Sequence, residues 1–249
     1  MRVAVLLLAL IAWIASGAGA RIAVAANLVA DLSSHLIAIT TGFTGTEVLL
    51  FGAKEEPGEV VVIVRGPTSA IAVRKKSRVA GIWMNTDRVT FSNVPSFYAV
   101  ASSAPLADIA PPTVLARHQI GFDQLKLQAP PNVDPERLRD FRAALIRRQQ
   151  RAGVFAKENG QVSFLGNTLF RTSVYFPANV PVGVYLVEVL LLRDGYVTGA
   201  QTTPLIISKV GFGAEIFDFA HQRAALYGLI AILISLVSGW LPHILLRRA

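Results

Sequence analysis

The stretch VPVGVYLVEVLLLRDGYVTGAQTTPLIIS, residues 180–208, predicts a β-hairpin more strongly than any other part of the chain. Two runs rich in β-branched and aromatic residues, Val184–Arg193 and Tyr196–Ser208, flank the dipeptide Asp194-Gly195. Asp-Gly between two such runs is a preferred type I′ turn, because both of its residues tolerate a positive φ. The stretch therefore indicates a mainly β fold.

Seven short runs of strand-forming residues, separated by turn signals, precede residue 105. They are Leu36–Thr40, Thr46–Phe51, Glu59–Arg65, Ile71–Lys75, Ala80–Met84, Val89–Ser92 and Phe97–Ser102. About seven short strands with turns every 8–12 residues or so are typical of a β-sandwich. We therefore expect an immunoglobulin-like β-sandwich over residues 27–104. Residues 161–209 would form a second β-rich region, which either completes this sandwich or packs beside it as a module of its own.

One amphipathic helix is predicted over residues 134–152, inside a proline-containing linker that spans residues 105–160. Asp134 is a natural N-cap, and Pro135 suits the first helical position. The buried stripe would consist of Leu138, Phe141 and Leu145. The other face is a basic surface made of Arg137, Arg139, Arg142, Arg147, Arg148 and Arg151. That surface is either the solvated side of a helix packed on a sheet or a contact for anionic lipid or an acidic partner.

The chain closes on AALYGLIAILISLVSGWLPHILLRRA, residues 224–249, which carries no charge before its final arginines. A helix needs about 20 apolar residues to cross the hydrocarbon core of a bilayer. We therefore expect a juxtamembrane and transmembrane helix over residues 211–246, rather than a buried core helix. Aromatic and basic residues suited to the membrane–water interfaces flank it: Arg223, Tyr227, Trp240, Arg247 and Arg248.

The opening MRVAVLLLALIAWIASGAGA, residues 1–20, has the order of a secretory signal peptide: one basic residue, an apolar run, then small residues. We expect cleavage after residue 20, or as late as residue 25. The alternative is an uncleaved first membrane span.

Both ends of the chain predict the same topology. Short flanks rich in arginine stay on the cytoplasmic side, so Arg2 and the tail at residues 247–249 should be cytoplasmic. Residues 26–215 or so would then lie outside the inner (plasma) membrane. We expect a single-pass protein after signal cleavage, with a periplasmic main domain.

Small residues recur at steps of three or four along the predicted span. They are Ala224, Gly228, Ala231, Ser235 and Gly239. Small residues let two helix backbones approach closely in lipid, where apolar side chains alone give helices no drive to associate. This face is predicted to pack against another membrane helix, and the alternative is a passive anchor.

No catalytic or metal-binding pattern appears in the sequence. The chain has four histidines and no cysteine, and the histidines form neither an i, i+4 pair nor an H-E-x-x-H motif. G-x-S-x-G and P-loop spacings are missing as well. We expect a protein that is not an enzyme and has no cofactor or bound metal. The net charge is +8, of which Arg2, Arg21, Arg247 and Arg248 supply four. The +4 that remains between residues 22 and 246 is mild, and we expect no nucleic-acid partner for an exported domain.

Three segments resemble a known family: VADLSSHLIAITTGFTGTEVLLFGA (residues 29–53), FPANVPVGVYLVEVLLLRDG (residues 176–195) and ALYGLIAILISLVSGW (residues 225–240). They are similar to the "putative transmembrane protein" family described from alphaproteobacteria, over nearly the whole mature chain. The resemblance implies a membrane topology and assigns neither an activity nor catalytic residues. Members are often encoded beside a permease of the sulfite-exporter type, which implies a transporter as partner.

Two functions follow. The first is an accessory subunit of a membrane transporter, such as a sulfite or organosulfonate permease, held by the carboxy-terminal helix. The second is a tethered periplasmic module that binds a ligand or another envelope component. The expected partners are membrane lipid and either another integral membrane protein or a second copy of the chain.

Overall fold

The structure is a computed structural model of the chain. It describes residues 28–211, 216 and 219–246, with side chains up to Trp240. The predicted signal peptide at residues 1–20, the later cleavage point at residue 25, Arg247, Arg248 and the predicted tail at residues 247–249 lie outside the described residues.

The described residues are mainly strand, as predicted. The strands are β1 (Leu28–Leu32), β2 (Leu36–Ile39), β3 (Gly45–Lys54), β4 (Glu59–Arg65), β5 (Thr68–Val79), β6 (Ile82–Pro95), β7 (Tyr98–Ser102), β8 (Gly160–Gln161), β9 (Ser163–Leu165), β10 (Leu169–Pro177), β11 (Gly183–Arg193) and β12 (Tyr196–Lys209). The helices are α1 (Leu106–Ile109), α2 (Pro112–His118), a 3₁₀ turn (Phe122–Gln124), α3 (Pro135–Arg151) and α4 (Ala224–Leu246).

Two sheets combine strands from both ends of the chain. Sheet A has the order β1-β3-β10-β9, and sheet B has the order β2-β12-β11-β4-β7-β8. Because β3 pairs with β10 and β4 with β11, both sheets mix the two predicted β regions. Sheet B also contains two parallel pairs, β2 with β12 and β7 with β8. An immunoglobulin-like sandwich, whose two sheets are antiparallel, is therefore not confirmed.

The core lies between the two sheets and continues under the helices. Phe176 of sheet A stacks on Phe97 with ring centroids 4.8 Å apart, and its edge meets the ring of Tyr185 in sheet B at 5.9 Å. On the other side of sheet B, Tyr98 packs against the rings of Phe122 and Phe155. Central strand β4 is thus covered on both faces, which explains why its sequence VVVIV has no polar alternation.

Strands β5 and β6 form a separate two-stranded hairpin, residues 68–95. The sequence predicted three shorter strands here, and the one at residues 80–84 was wrong at its start. Ala80 and Gly81 form the turn, with φ of 49° and 87°. Ala-Gly is a weak turn signal because alanine rarely adopts a positive φ, so the pattern concealed the hairpin.

Helix α3 confirms the predicted amphipathic helix. The carboxylate of Asp134 accepts hydrogen bonds from the backbone N–H groups of Glu136 and Arg137, both at 3.1 Å. Phe141 and Leu145 are buried, and Leu138 packs against the same core.

The carboxy-terminal residues form a helix where one was predicted, although it is not continuous from residue 211. A bend at Arg223 separates helical residues 219–222 from α4. The described side chains of α4 end at Trp240. Within the part of the chain that the structure describes, no helix meets the length and apolarity needed to span a membrane.

Candidate interaction site

Helix α4 exposes apolar side chains on every side. Ile232, Leu229, Leu233 and Ile234 point in successive directions around the helix, and each is more than half exposed, at 53–60%. A soluble amphipathic helix would instead bury one apolar face and show a polar one. The exposed surface of α4 therefore has the character of an interaction site for lipid or for other helices.

The predicted packing face lies along this helix and needs nothing from the rest of the chain. A Cβ atom placed on Gly228 or Gly239 would meet open space. The hydroxyl of Ser235 donates a hydrogen bond of 2.8 Å to the carbonyl of Ala231, one turn back. Ala224 and Ala231 complete the face by their spacing. These positions are free for a second helix to approach closely.

Three of the predicted flanking residues are described: Arg223 directly before α4, Tyr227 in its first turn, and Trp240 six residues before its end. Arg223 is the bend residue that precedes the helix, and its backbone N–H donates to the carbonyl of Phe219 at 2.9 Å. The ring of Tyr227 meets that of Phe219 edge-to-face, with centroids 6.3 Å apart. Trp240 follows Tyr227 by thirteen residues, about 20 Å at a rise of about 1.5 Å per residue. This separation is shorter than the hydrocarbon core of a bilayer, which is about 30 Å thick.

The basic surface of α3 is largely used within the fold. Arg137 forms an ion pair with Asp87 of β6. The guanidinium of Arg142 donates to three backbone carbonyls at 2.8–3.2 Å, those of Phe122, Asp123 and Leu125. Arg148 reaches the carbonyl of Ala72 at 3.5 Å. These contacts fix α3 to the hairpin and to the 3₁₀ turn.

The other arginines of this surface are closer to solvent. Arg139 bonds only the carbonyl of Pro135 in its own helix, at 3.4 Å. Arg147 and Arg151 line a shallow depression together with Arg148 and Ala144. This depression is the part of α3 that keeps a cationic character toward solvent.

A half-buried polar cluster holds the segment after α2 on sheet B. The Arg65 guanidinium lies 2.6 Å from the Glu188 carboxylate and donates to the carbonyl of His118 at 2.5 Å. The hydroxyl of Tyr98 donates to the carbonyl of Gln119 at 2.7 Å and accepts from the N–H of Gly121 at 2.8 Å. Because these groups already bond one another, the cluster acts as a clamp on residues 118–121.

Burial raises the pKa values of two tyrosines in the core, Tyr98 and Tyr185. Burial raises the pKa of Tyr98 to about 12, and the hydrogen bond from Gly121 offsets part of that rise. Burial also raises the pKa of Tyr185 to about 12. An unfolded chain would ionise these phenols near pH 10. The free energy of unfolding should therefore fall as the pH rises from about 10 to about 12, because only the unfolded chain ionises these phenols in that range. Below about pH 10 both states keep them neutral, and the two tyrosines give no pH dependence.

Replacing Tyr98 with phenylalanine should cost about 1–3 kcal/mol at pH 8, because the carbonyl of Gln119 and the N–H of Gly121 lose their partner. The difference from wild type should shrink toward pH 12, since only the wild type loses stability through ionisation of Tyr98. Denaturant unfolding of the full chain in detergent at pH 8, 10 and 11.5 measures both effects. A difference that stays constant across this range would contradict the assignment of the raised pKa to Tyr98.

The outer face of sheet A carries an apolar depression of about 390 Å³ that the sequence pattern did not reveal. Its exposed lining consists of five large apolar side chains, those of Val29, Leu49, Phe51, Leu165 and Leu169, and of the charged side chains of Asp31 and Arg171. Arg171 on β10 pairs in register with Phe51 on β3 and adds one cation. Alternation along β3 and β10 places apolar residues on both faces, so the exposed set becomes visible only once the sheet pairing is known.

The described histidines and acidic residues lie apart from one another or in pairs. The Nε2 atom of His35 lies 2.8 Å from the carboxylate of Asp31, four residues earlier in the chain. The Arg65 guanidinium bonds the backbone carbonyl of His118. No cluster of three or more histidine and carboxylate side chains with a metal-binding arrangement occurs among the described residues.

Comparison with known proteins identifies one family. A family model described as "Putative transmembrane protein (Alph_Pro_TM)" matches residues 27–248. Neither the curated proteins nor the solved structures contain a match to the chain.

Proposed function

Because the chain belongs to this family of transmembrane proteins, we propose that it is a membrane-anchored binding subunit rather than an enzyme. Helix α4 crosses the inner membrane, the β domain lies in the periplasm, and the chain acts as an accessory subunit of a membrane transporter. The sulfite or organosulfonate type of permease is the partner that the family resemblance favours.

One observation carries this proposal: the apolar surface of α4 is exposed all round. The helix runs from Ala224 to Leu246, 23 residues or about 35 Å at a rise of about 1.5 Å per residue. Its described side chains end at Trp240, so the proposed span also depends on the apolar sequence of residues 241–246. The hydrocarbon core of a bilayer is about 30 Å thick. In water, exposed apolar side chains along such a helix would be unfavourable at about 25 cal/mol per Å² of apolar surface. A lipid bilayer removes that cost, because its acyl chains surround the helix and no other part of the protein has to cover it.

The small-residue face supports a subunit rather than a bare anchor. An anchor needs hydrophobicity alone, whereas close helix packing in lipid needs small residues on one face. Gly228 and Gly239 offer open space at their Cα atoms, and the Ser235 hydroxyl is already bonded within its own helix. A transporter helix, or α4 of a second copy, fits this face.

The second candidate function is a tethered module that binds an apolar ligand or an envelope component. The depression on the outer face of sheet A favours it, because large exposed apolar patches mark interaction sites. Phe51 and Leu169 would supply the apolar contact, and Arg171 and Asp31, one charge of each sign, would bind the polar part of an amphipathic ligand.

A reporter enzyme that is active only in the periplasm should be active when fused after Lys209 and silent when fused after Ala249. The reason is that α4 lies between the two fusion points and its arginine-rich end should stay in the cytoplasm. A reporter active only in the cytoplasm, fused at the same two residues, is the matched control and should give the opposite pattern. Periplasmic activity after Ala249 would reject the proposed orientation, and activity of the same reporter at both points would reject the span.

A further inference from the structure

The tip of the β5–β6 hairpin exposes a compact set of large apolar side chains. Val79, Ile82, Trp83 and Met84 flank the Ala80-Gly81 turn and are 47–68% exposed. No described ring contact or buried contact involves them. Exposed apolar clusters of this kind are rare in monomeric proteins unless they bind something.

The tip stands well clear of the protein core. Val73 and Val89 pair in register and are the outermost buried pair of the hairpin. The six residues from Arg74 to Val79 extend the hairpin by about 20 Å beyond that pair, at about 3.3 Å per residue. A two-stranded hairpin without a buried face is only marginally stable in water. A surface that receives the tip would therefore stabilise this part of the fold.

The stem next to the tip is strongly cationic. Residues 74–86 contain Arg74, Lys75, Lys76 and Arg78 and no aspartate or glutamate. The next carboxylate along the chain, that of Asp87, lies opposite Lys75 in the hairpin register and forms an ion pair with Arg137. The stem therefore carries a net positive charge directly behind an apolar tip that contains a tryptophan.

The base of the hairpin lies at the end of sheet B from which the chain continues toward α4. Gly183 at the start of β11 pairs with Ile207 near the end of β12. A Cβ atom on Gly183 would come within 2.8 Å of the ring of Pro67, the residue immediately before β5. The base of the hairpin and the end of β12 thus lie at the same end of sheet B.

We propose that the β5–β6 tip inserts into the surface of an anionic lipid bilayer. Trp83, Ile82 and Met84 enter the boundary between headgroups and acyl chains, where tryptophan is preferred. The stem cations contact lipid phosphates, and each cation near an anionic surface contributes about 1 kcal/mol. This second membrane contact is distinct from the α4 anchor and would fix the orientation of the β domain on the membrane.

Lipid is the occupant that the chemistry favours. An apolar protein groove would match the tip but would not require a stem without carboxylates. An acidic protein surface would match the stem but would not bury Ile82 and Trp83. A bilayer with anionic headgroups matches both parts of the hairpin. Its acyl chains would receive the apolar tip, and its headgroups, nearer to water, would lie beside the cationic stem.

The absence of cysteine from the chain permits a direct test with one added thiol. Full-length Ile82→Cys carrying a polarity-sensitive fluorophore is placed in nanodiscs of phosphatidylcholine, with or without phosphatidylglycerol. We expect a blue shift and strong quenching by lipids with spin labels on their acyl chains, mainly in the anionic discs. The control Tyr196→Cys carries the label at the Asp194-Gly195 turn, at the opposite end of sheet B, and should remain in water in both discs.

Two variants separate the contributions of charge and apolarity. Lys75→Gln with Lys76→Gln should lower the ratio of inserted to water-exposed tip by about fivefold for each cation removed. Trp83→Ser with Met84→Ser should abolish the charge-dependent quenching at residue 82. Because all four side chains are exposed, thermal unfolding of both variants should match that of the labelled parent.

A label at residue 82 that stays in water in anionic discs would overturn the proposal. So would equal insertion in discs with and without phosphatidylglycerol, because the stem would then have no role. Shielding that appears only in discs containing membrane proteins from the cell would assign the tip to a protein partner and reject lipid. Association of the chain with the discs reports on α4 separately, so failure of the tip and failure of the anchor are distinguishable.

Discussion

Replacing Phe176 with alanine should lower the free energy of unfolding by about 3–5 kcal/mol. Phe176 is 1% exposed and belongs to β10 of sheet A. Its ring contacts Phe97, which precedes β7, and Tyr185 of β11. The substitution removes the aromatic ring that joins the two sheets and leaves a cavity between them. Since folded domains are stable by only about 5–15 kcal/mol, much of the native population should be lost on mild heating.

Denaturant unfolding of the full chain in detergent, followed by circular dichroism, measures this effect. Tyr196→Ala is a suitable control, because that aromatic side chain is 71% exposed and its removal should change stability by no more than about 0.5 kcal/mol. A double-mutant cycle of Phe176→Ala with Phe97→Ala should show coupling of about 0.5–1.5 kcal/mol for the stacked pair. Equal stability of Phe176→Ala and Tyr196→Ala would mean that the two sheets do not share this core.

The sequence was sufficient to predict the elements whose structure depends on local sequence signals. The hairpin of β11 and β12 has Asp194 and Gly195 at φ of 52° and 79°, as its type I′ signal predicted. Helix α3 begins after the predicted cap, Asp134. The apolarity of residues 224–246 was likewise enough to predict a carboxy-terminal helix. Each of these features depends on residues that are close together in the chain.

The arrangement of the sheets could not be predicted in the same way. Pairing of β3 with β10 joins residues such as Leu50 and Thr172, which are far apart in sequence. No local pattern records which distant strand will pair, because that choice depends on how the total apolar surface is buried. The predicted boundary between two β regions therefore says little about a fold in which both regions contribute to both sheets.

The candidate sites differ in the same way: those that depend on local sequence could be predicted, and those that depend on packing between distant segments could not. The small-residue face of α4 follows from helical spacing alone and was predicted. The hairpin tip was concealed because Ala80-Gly81 is an uncommon turn. The engagement of Arg142 with the carbonyls around Phe122 depends on the docking of α3, so the sequence showed a uniformly basic surface where the structure has a partly occupied one.

The double substitution Gly228→Leu with Ser235→Leu should abolish the association of the chain with its membrane partner. Both positions lie on the small-residue face of α4, where a leucine would hold an approaching helix backbone away. Inside one copy of the chain the change is harmless. Gly228 has open space around it, and Ser235 gives up only a bond to the carbonyl of Ala231, within its own helix. The segment becomes more apolar, so insertion into the membrane should be preserved.

Affinity purification in mild detergent, followed by identification of the co-purified membrane proteins, measures this effect. The matched control is Leu233→Phe with Val237→Leu, which also adds volume to α4 but on the opposite side of the helix by its spacing. This control should retain the partner, whether that partner is a transporter or a second copy of the chain. If the Gly228 and Ser235 variant inserts and still retains every partner seen with wild type, the face has no packing role. The exposed depression around Phe51 on sheet A would then be the better candidate for the binding surface, and α4 would serve as a tether for that module.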